Sequence, residues 1–348
     1  MDHFARTMKT LLSHQSLEQC AAYGLFTELF EGKLNDSQIG GALSLLAMHH
    51  PTSEELTGAA RAMRERVTPV DYRRAKGSIL IDTCGTGGAP KTFNVSTIAA
   101  MILAGVQTPS GTSIERIQVA KHGNRSRTGR GSAEVLMQLG VNVDANTEVQ
   151  ARCLDEAGLC FCFAVNHHPA IKHAMPTRHS LGFPTIFNAI GPLTNPAGAD
   201  CQLIGVYKDE LVEPMAQTLV NLGTKRAMVV HSSDGLDELS TTAPTRAVLV
   251  SNGTLSEKTI DATDFGLERA SIEQLRARDV EHSAVIAESI LNNQPSAYLD
   301  MALLTVAGGL VAGGVCEGFG AGIELGREAL SSGRARDALD ALITLSNA

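Results

Sequence analysis

Tryptophan is absent from this 348-residue chain, and aromatic residues make up only 4% of it, four Tyr and ten Phe. Its capacity for burial therefore rests on the aliphatic majority of a 43% hydrophobic composition. Basic charge is in the minority: 29 Lys and Arg against 37 Asp and Glu give a formal net charge of −8. That balance argues against a duplex nucleic-acid binder, which carries a basic surface. The seven cysteines (Cys20, Cys84, Cys153, Cys160, Cys162, Cys201 and Cys316) are odd in number and contain no C-x-x-C spacing. Scattered thiols of this kind suit a reducing cytosol, so a cytoplasmic protein is expected. Cys160 and Cys162 share one face of a strand and read as core rather than as metal ligands. Met1 to Thr10 has no apolar stretch of the kind a secretory signal needs. The uncharged run Met301 to Cys316 is Gly-rich and shorter than the ~20 residues of a membrane span. It reads as a buried helix, and no membrane partner is expected. With 19% charged residues and no low-complexity tract, the chain is a folded protein of about two domains. What it has in abundance is glycine: 33 residues, implying tight turns or backbone brought close to a ligand.

The pattern changes along the chain. Leu25, Phe26, Leu29 and Phe30 recur at helical spacing before Gly32 and Asn35-Asp36 interrupt them. Asp36 or Ser37 is expected to cap the next helix, which carries Ile39, Leu43, Leu46 and Ala47. His49-His50-Pro51 ends it, and Thr52-Ser53-Glu54-Glu55 opens another with a capping-box signature. His49 and His50, adjacent at a helix end, diverge and are read as terminal polar residues. From Ser78 onward, short apolar strands alternate with loops and helical stretches: Ser78–Asp82, Gln118–Ala120, Cys160–Ala164, Leu203–Val206 and Ala227–His231. That alternation predicts an α/β fold with a mostly parallel central sheet flanked by helices, preceded by a small N-terminal helical domain. The expected division is residues 1–72 and 73–348, with a segment at about 178–195 returning to the helical domain. Ligands of such sheets bind at the carboxyl ends of the strands.

Four segments there carry chemistry. Gly85-Thr86-Gly87-Gly88 opens the loop after the first strand, and Thr92-Phe93-Asn94-Val95-Ser96-Thr97 leads into a helix. Bare backbone amides and a helix N-terminus favour phosphate. The loop matches neither a P-loop nor a dinucleotide fingerprint, and a Gly-rich turn with an ordinary helix cap is the alternative. The second loop, Lys121-His122-Gly123-Asn124-Arg125-Ser126-Arg127-Thr128-Gly129-Arg130-Gly131-Ser132, places four cations among hydroxyls and glycines. It also lies between a strand and a helix, so two anion loops imply a substrate with two anionic ends. Asn166 to Arg178 holds His167, His168, Lys172, His173 and Arg178. No carboxylate or cysteine completes a tetrahedral metal set there. Arg178 is the candidate for gripping a carboxylate, unless it pairs with one of the protein's own. Last, Asp237-Glu238 ends the acidic turn Asp234-Gly235-Leu236-Asp237-Glu238. Beside phosphate loops, two adjacent carboxylates suit Mg²⁺.

These segments together resemble the anthranilate phosphoribosyltransferase family. The resemblance rests on Gly85–Gly88, Thr92–Thr97, Val119–Ser126, Gly131-Ser132-Ala133, His168-Pro169-Ala170, Met175-Pro176 with Arg178, Thr185–Asn188, Gly191-Pro192-Leu193 and Asp234–Glu238. It covers nearly the whole chain, including the helical stretch from Leu34 to Arg64. It implies a transferase joining anthranilate to 5-phosphoribosyl 1-pyrophosphate, with Mg²⁺ as cofactor and two copies paired through their helical domains. It implies that phosphoribosyl pyrophosphate is bound by Gly85, Gly88, Thr92, Asn94, Val95, Ser96, Thr97, Lys121, His122, Gly123, Asn124, Arg125, Ser126, Arg127, Thr128, Gly129 and Ser132. Gly85, Asn124 and Arg178 would hold anthranilate, with His122 and His168 near its entrance, and Ser96, Asp237 and Glu238 would hold the metal. No residue is expected to act as a general acid or base, because an aromatic amine is already neutral and needs orientation. The chain departs from the family pattern at Ala89-Pro90-Lys91, which replaces a longer, Asp-containing stretch and introduces a cation. Arg127-Thr128-Gly129-Arg130 likewise stands for a longer Ser-rich stretch, and Gly105 to Arg116 is extended. Rival readings are a related nucleoside phosphorylase and a non-catalytic nucleic-acid-binding relative; the persistence of Arg178, Asp237 and Glu238 disfavours both.

Overall fold

The computed structural model describes residues 3–126 and 129–348. Four helices open the chain: α1 (His3–Leu12), α2 (Gln19–Phe30), α3 (Asp36–Ala47) and α4 (Ser53–Arg64). Asn35 caps α3, its side chain accepting from the Gln38 amide while Gln38 reaches back to the Asn35 amide. The cap thus lies just ahead of Asp36 and Ser37, because only Asn35 has the extended backbone that turns a side chain back onto the first turn. Thr52 and Glu55 form the expected reciprocal box at α4. His49 and His50 diverge, toward Glu55 and Glu210 respectively.

β1 (Ser78–Gly85) leads to α5 (Val95–Ala104), β2 (Arg116–Gly123), α6 (Ser132–Gln138), α7 (Thr147–Glu156) and β3 (Leu159–Phe163). Short helices α8 (Ala164–His167), α9 (Met175–Leu181) and α10 (Ile186–Ile190) precede β4 (Cys201–Gly205), α11 (Val212–Asn221) and β5 (Arg226–Ser232). β6 (Thr245–Ser251) and β7 (Thr254–Ile260) complete the sheet, and α12 (Val280–Leu291), α13 (Ala297–Gly313), α14 (Phe319–Ser331) and α15 (Arg334–Ser346) end the chain. The strand order is β3-β2-β1-β4-β5-β6-β7, parallel from β3 through β5 and antiparallel beyond. After β1 the chain runs outward through β2 and β3, then returns to pair β4 on β1's other side. β1 is therefore the topological switch point, beside which a crevice opens at the strands' carboxyl ends.

Strand periodicity divides the core. Leu203, Met228 and Val230 face a cluster with α5, α13 and α15, whereas Ile204, Ala227 and Val229 face the opposite side. That second cluster continues without a break into Phe26, Leu43 and Leu56 of the helical bundle. Phe187 of α10 sits edge-on to Phe26 and Phe30, with centroids 5.7 and 6.0 Å away, so the 186–190 turn packs on the bundle. Most of the Met301 to Cys316 run lies in α13, which is capped by Ser296 and buried along nearly its whole length. Its glycines serve packing: a Cβ on Gly309 would stand 3.0 Å from Leu103 Cδ1. Cys160 and Cys162 are both buried, their sulfurs 3.8 Å apart.

Candidate active site

The loops after β1, β2 and β5 meet in a cleft of about 240 Å³. From the first loop, Gly85, Gly88, Thr92, Asn94, Ser96 and Thr97 line it; from the second, Lys121, His122, Gly123, Asn124 and Ser132; from the third, Asp237 and Glu238. A larger cleft of about 380 Å³, at the opposite end of β2, is lined in part by the extended Gly105 to Arg116 segment and by none of the candidate site residues.

The first loop is tied at both ends. Thr86 donates its amide to the Gly205 carbonyl and accepts from the Tyr207 amide, at 2.9 and 3.0 Å. Gly87 and Gly88 then take φ values of +63° and +99°, which side-chain-bearing residues avoid. No side chain caps α5: Asn94 instead donates to the Arg130 carbonyl of the second loop, 3.3 Å away. The second loop is folded on Glu134, whose carboxylate accepts from the Gly131 and Ser126 amides. A Cβ on Gly123 would overlap the Ser132 hydroxyl, so only glycine lets β2 pass beneath the start of α6.

Beneath the cleft lies a buried polar layer. Asp82 accepts from the His122 amide at 3.1 Å and from the Gln202 side chain at 3.4 Å. Burial pushes the Asp82 carboxyl up, while the nearby Lys121 charge works in the other direction. Lys121, itself buried, donates its ammonium to the carbonyls of Thr83 and His122, clamping β2 to β1. His122 meets His168, their Nε2 atoms 3.2 Å apart. Burial holds both imidazoles below their usual range: His122 well below it, with the His168 and Lys121 charges adding to the effect, and His168 to about 4.

Asp237 accepts from the Gly87 amide at 3.1 Å, which joins the acidic turn to the glycine loop. Asp234 does not enter the cleft. It accepts from Ser240, Thr242 and the Leu236 amide and so braces the turn from behind. Burial raises both the Asp237 and Glu238 carboxyls, Glu238 well above its ordinary value with Asp237 as the second cause. Two crowded carboxylates at a cleft floor fit a hard divalent cation, which would relieve their repulsion. Among the described residues no cluster of three or more His, Cys, Asp or Glu side chains surrounds a common point. The protein thus offers the pair, with Ser96 alongside, which fits Mg²⁺ because that ion takes one or two carboxylates and completes its shell with substrate oxygens and water.

Arg178 stands apart from the cleft lining. Its guanidinium lies over the Phe187 ring, 4.6 Å from the centroid, and burial lowers its pKa to about 10. Among the described residues no Asp or Glu pairs with it. The alternative of an internal ion pair therefore finds no partner. Phe187's neighbour Asn188 donates to the Thr86 carbonyl at 3.3 Å, so the element beneath Arg178 is fastened to the glycine loop.

Several expected residues lie elsewhere. Val95 points into the core, fully buried, because the first turn of α5 faces the sheet, so only its backbone is available to a ligand. Arg125 turns its guanidinium over Phe163, 5.6 Å from the ring centroid. Ser126 and Gly129 are outside the lining, and Arg127 and Thr128 lie outside the described residues. His168 reaches the site only through His122. Conversely, Cys84, Gly87, Ala89, Pro90, Lys91, Phe93, Arg130, Gly131 and Ser283 also line the cleft. Most of these lie between residues already singled out. Ser283, on α12, has no motif to announce it.

The cleft lies at the switch point of a parallel sheet with a helical bundle packed alongside, and both parts of the chain match the glycosyl transferase family. The helical bundle domain of the glycosyl transferase family matches residues 6–67, and that family's a/b domain matches 77–336. An anthranilate phosphoribosyltransferase of Methylorubrum populi is 40% identical over 350 residues, covering 100% of both chains. That of Rhizobium meliloti is 42% identical over 338 residues, covering 97% of this chain and 96% of its own. The crystal structure of anthranilate phosphoribosyltransferase from Thermus thermophilus superposes with a TM-score of 0.88 at 35% identity, covering 98% of this chain and 99% of that one. The yeast enzyme in complex with PRPP and Mg shares the fold at a TM-score of 0.86 and 23% identity, covering 99% of this chain and 98% of its own. The chain belongs to the anthranilate phosphoribosyltransferase family.

Proposed function

We propose that this chain transfers the phosphoribosyl group of 5-phosphoribosyl 1-pyrophosphate to the amine of anthranilate, giving N-(5-phosphoribosyl)anthranilate and pyrophosphate, a step of tryptophan biosynthesis. The observation that carries this reading is the convergence of two backbone-rich anion loops and an acidic pair on one cleft. In the reaction the amine lone pair forms a bond to ribose C1, the C1–O bond breaks with its electrons on pyrophosphate, and the amine proton is released. Positive charge builds on the ribose and negative charge on the leaving group, so positioned charges rather than a base lower the barrier.

In this reading Gly85, Gly88, Thr92, Asn94, Ser96 and Thr97, with Lys121, Gly123, Asn124 and Ser132, hold the donor, and the backbone of Val95 and the remaining second-loop residues join them. Asp237 and Glu238, beside Ser96, hold Mg²⁺, which when bound supplies charge to the departing oxygens. Arg178 grips the anthranilate carboxylate, its guanidinium kept planar to the acceptor by Phe187. Gly85 and Asn124 contact the same ring, and the neutral His122–His168 pair walls its approach without adding charge. No general base is assigned. The reading also divides the chain at residue 72, pairs two copies through their helical bundles in the cytoplasm, and takes neither nucleic acid nor membrane as partner. Leu12 and Met48, 65% and 70% exposed on the bundle, support that pairing. Among the described residues no helix is long and apolar enough to cross a membrane.

The test is the loss of anthranilate fluorescence on mixing the protein with phosphoribosyl pyrophosphate and Mg²⁺. Turnover that depends on all three is expected; a well-folded protein that leaves anthranilate unchanged overturns the reading.

A further inference from the structure

A side chain outside the cleft joins the two halves of the site. Of Gly85–Gly88, only Thr86 is absent from the cleft lining. It is buried, and its polar groups are turned into the protein. Its amide donates to the Gly205 carbonyl at 2.9 Å, its hydroxyl accepts from the Tyr207 amide at 3.0 Å, and its carbonyl accepts from Asn188 Nδ2 at 3.3 Å. One residue on, the Gly87 amide donates to Asp237 at 3.1 Å. A shift of Thr86 therefore moves both the backbone amides offered to the donor and the turn that carries the acidic pair.

Asn188 holds the other end. It follows Phe187 on α10, whose ring lies beneath the Arg178 guanidinium and packs on Phe26 and Phe30 of the bundle. Its Oδ1 accepts from the Thr185 amide at 3.2 Å, so the side chain is oriented by its own helix start before it reaches the loop. Half-buried and absent from the cleft lining, Asn188 has no place among the residues assigned to donor, acceptor or metal. Transfer needs the acceptor amine and the ribose C1 in register, yet the acceptor is held above α10 and the donor by the glycine loop. A misplacement of about 1 Å between reacting groups costs on the order of 100-fold in rate.

We propose that Asn188 is a positioning residue for the transfer: its amide, bonded to the Thr86 carbonyl, sets the acceptor element against the donor loop. The inference rests on the anthranilate and phosphoribosyl pyrophosphate reading and deepens it. Asn188 touches neither substrate and acts through Thr86 and α10. Its loss therefore appears in the rate at which two bound substrates react, and not in the binding of either.

Two variants separate this role from that of a helix start. Asn188→Ala removes both hydrogen bonds, whereas Asn188→Asp keeps the acceptor for the Thr185 amide and loses the donor to Thr86. The experiment is single-turnover transfer by the full-length protein with both substrates saturating, followed by anthranilate fluorescence, together with the KM for each substrate and thermal denaturation. Both variants are expected to lose about 10- to 100-fold in single-turnover rate, with each KM within about twofold of wild type. Asn188→Asp keeps more thermal stability than Asn188→Ala, because it retains the helix start. A merely structural role ties the two readouts together: Asn188→Asp would then recover the wild-type rate along with the stability, and that result overturns the proposal. A wild-type rate in Asn188→Ala overturns it too, as does a loss in Asn188→Asp confined to the KM for phosphoribosyl pyrophosphate, which marks only the added charge. Should Asn188→Ala fail to fold, Asn188→Asp decides alone. A wild-type protein that transfers at the same rate as its variants loses the positioning role alone; a well-folded wild type that leaves anthranilate unchanged loses the underlying reading as well.

Discussion

The Nε2 atoms of His122 and His168 face each other at 3.2 Å, so one must donate and the other accept, and both rings are neutral. Protonating either would place a cation against the other ring and near His167, and on His122 also near Lys121. Their folded pKa values lie below the unfolded value of about 6.5, His168 at about 4. Between those limits the unfolded chain binds more protons than the native one, so stability falls as pH drops from 6.5 toward 4 and is fully present above 6.5. For His168 the loss reaches roughly 3 kcal/mol. Urea unfolding from pH 4 to 8 should show this slope, and His168→Gln should flatten it. An equally steep slope in the variant would assign acid sensitivity to other groups.

Arg178→Ala is expected to raise the KM for anthranilate by about 10- to 100-fold, the range for a charged hydrogen bond, with the KM for phosphoribosyl pyrophosphate little changed. Arg178→Lys should recover only part, since an ammonium lacks the planar fork that stacks on Phe187. Steady-state kinetics in both substrates separates the two effects.

For the acidic pair, the informative measurement is a Mg²⁺ titration of activity. Asp237→Asn with Glu238→Gln should move the half-activating concentration upward by at least about tenfold, because neutral amides are far poorer ligands for a hard cation. A double variant that tracks wild type across the titration would remove the pair from the metal site.

Gly205 lies where β4 ends, and a Cβ there would overlap the main-chain carbonyl of Asp237. Gly205→Ala is expected to cost about 1–3 kcal/mol of stability and to displace the acidic turn. Thermal denaturation should register the first effect and a right-shifted Mg²⁺ titration the second. Gly235→Ala, at φ +86° in the same turn, supplies a comparison in which strain acts without overlap.

The legible parts of the site were those written as contiguous loops. Gly85–Gly88, Lys121–Asn124 and Asp237–Glu238 each follow an apolar strand, and the parallel sheet brings such strand ends together. What long-range pairing creates left no local trace. His122 and His168 are neighbours because β2 runs beside β3 in a register placing His122 opposite Cys162. Ser283 reaches the cleft only because α12 docks there. The edge strand β7, Thr254–Ile260, is mostly polar and exposed and so carries no apolar strand signal, as befits a strand that must not recruit another chain. The α3 cap fell on Asn35 rather than Asp36 or Ser37 because three consecutive residues could each cap, and Gln38 decides among them by its spacing from Asn35.

The antiparallel pairing of β5 with β6 places Ser232 opposite Thr245, so the turn that carries Asp237 and Glu238 is closed by residues only a short way along the chain. The two anion loops depend instead on joining β1 to β2 and to β4, across far longer stretches of sequence. Short loops close at lower entropic cost. Closing the acidic turn therefore costs less chain entropy than assembling the two glycine-rich loops, which requires the parallel sheet as a whole.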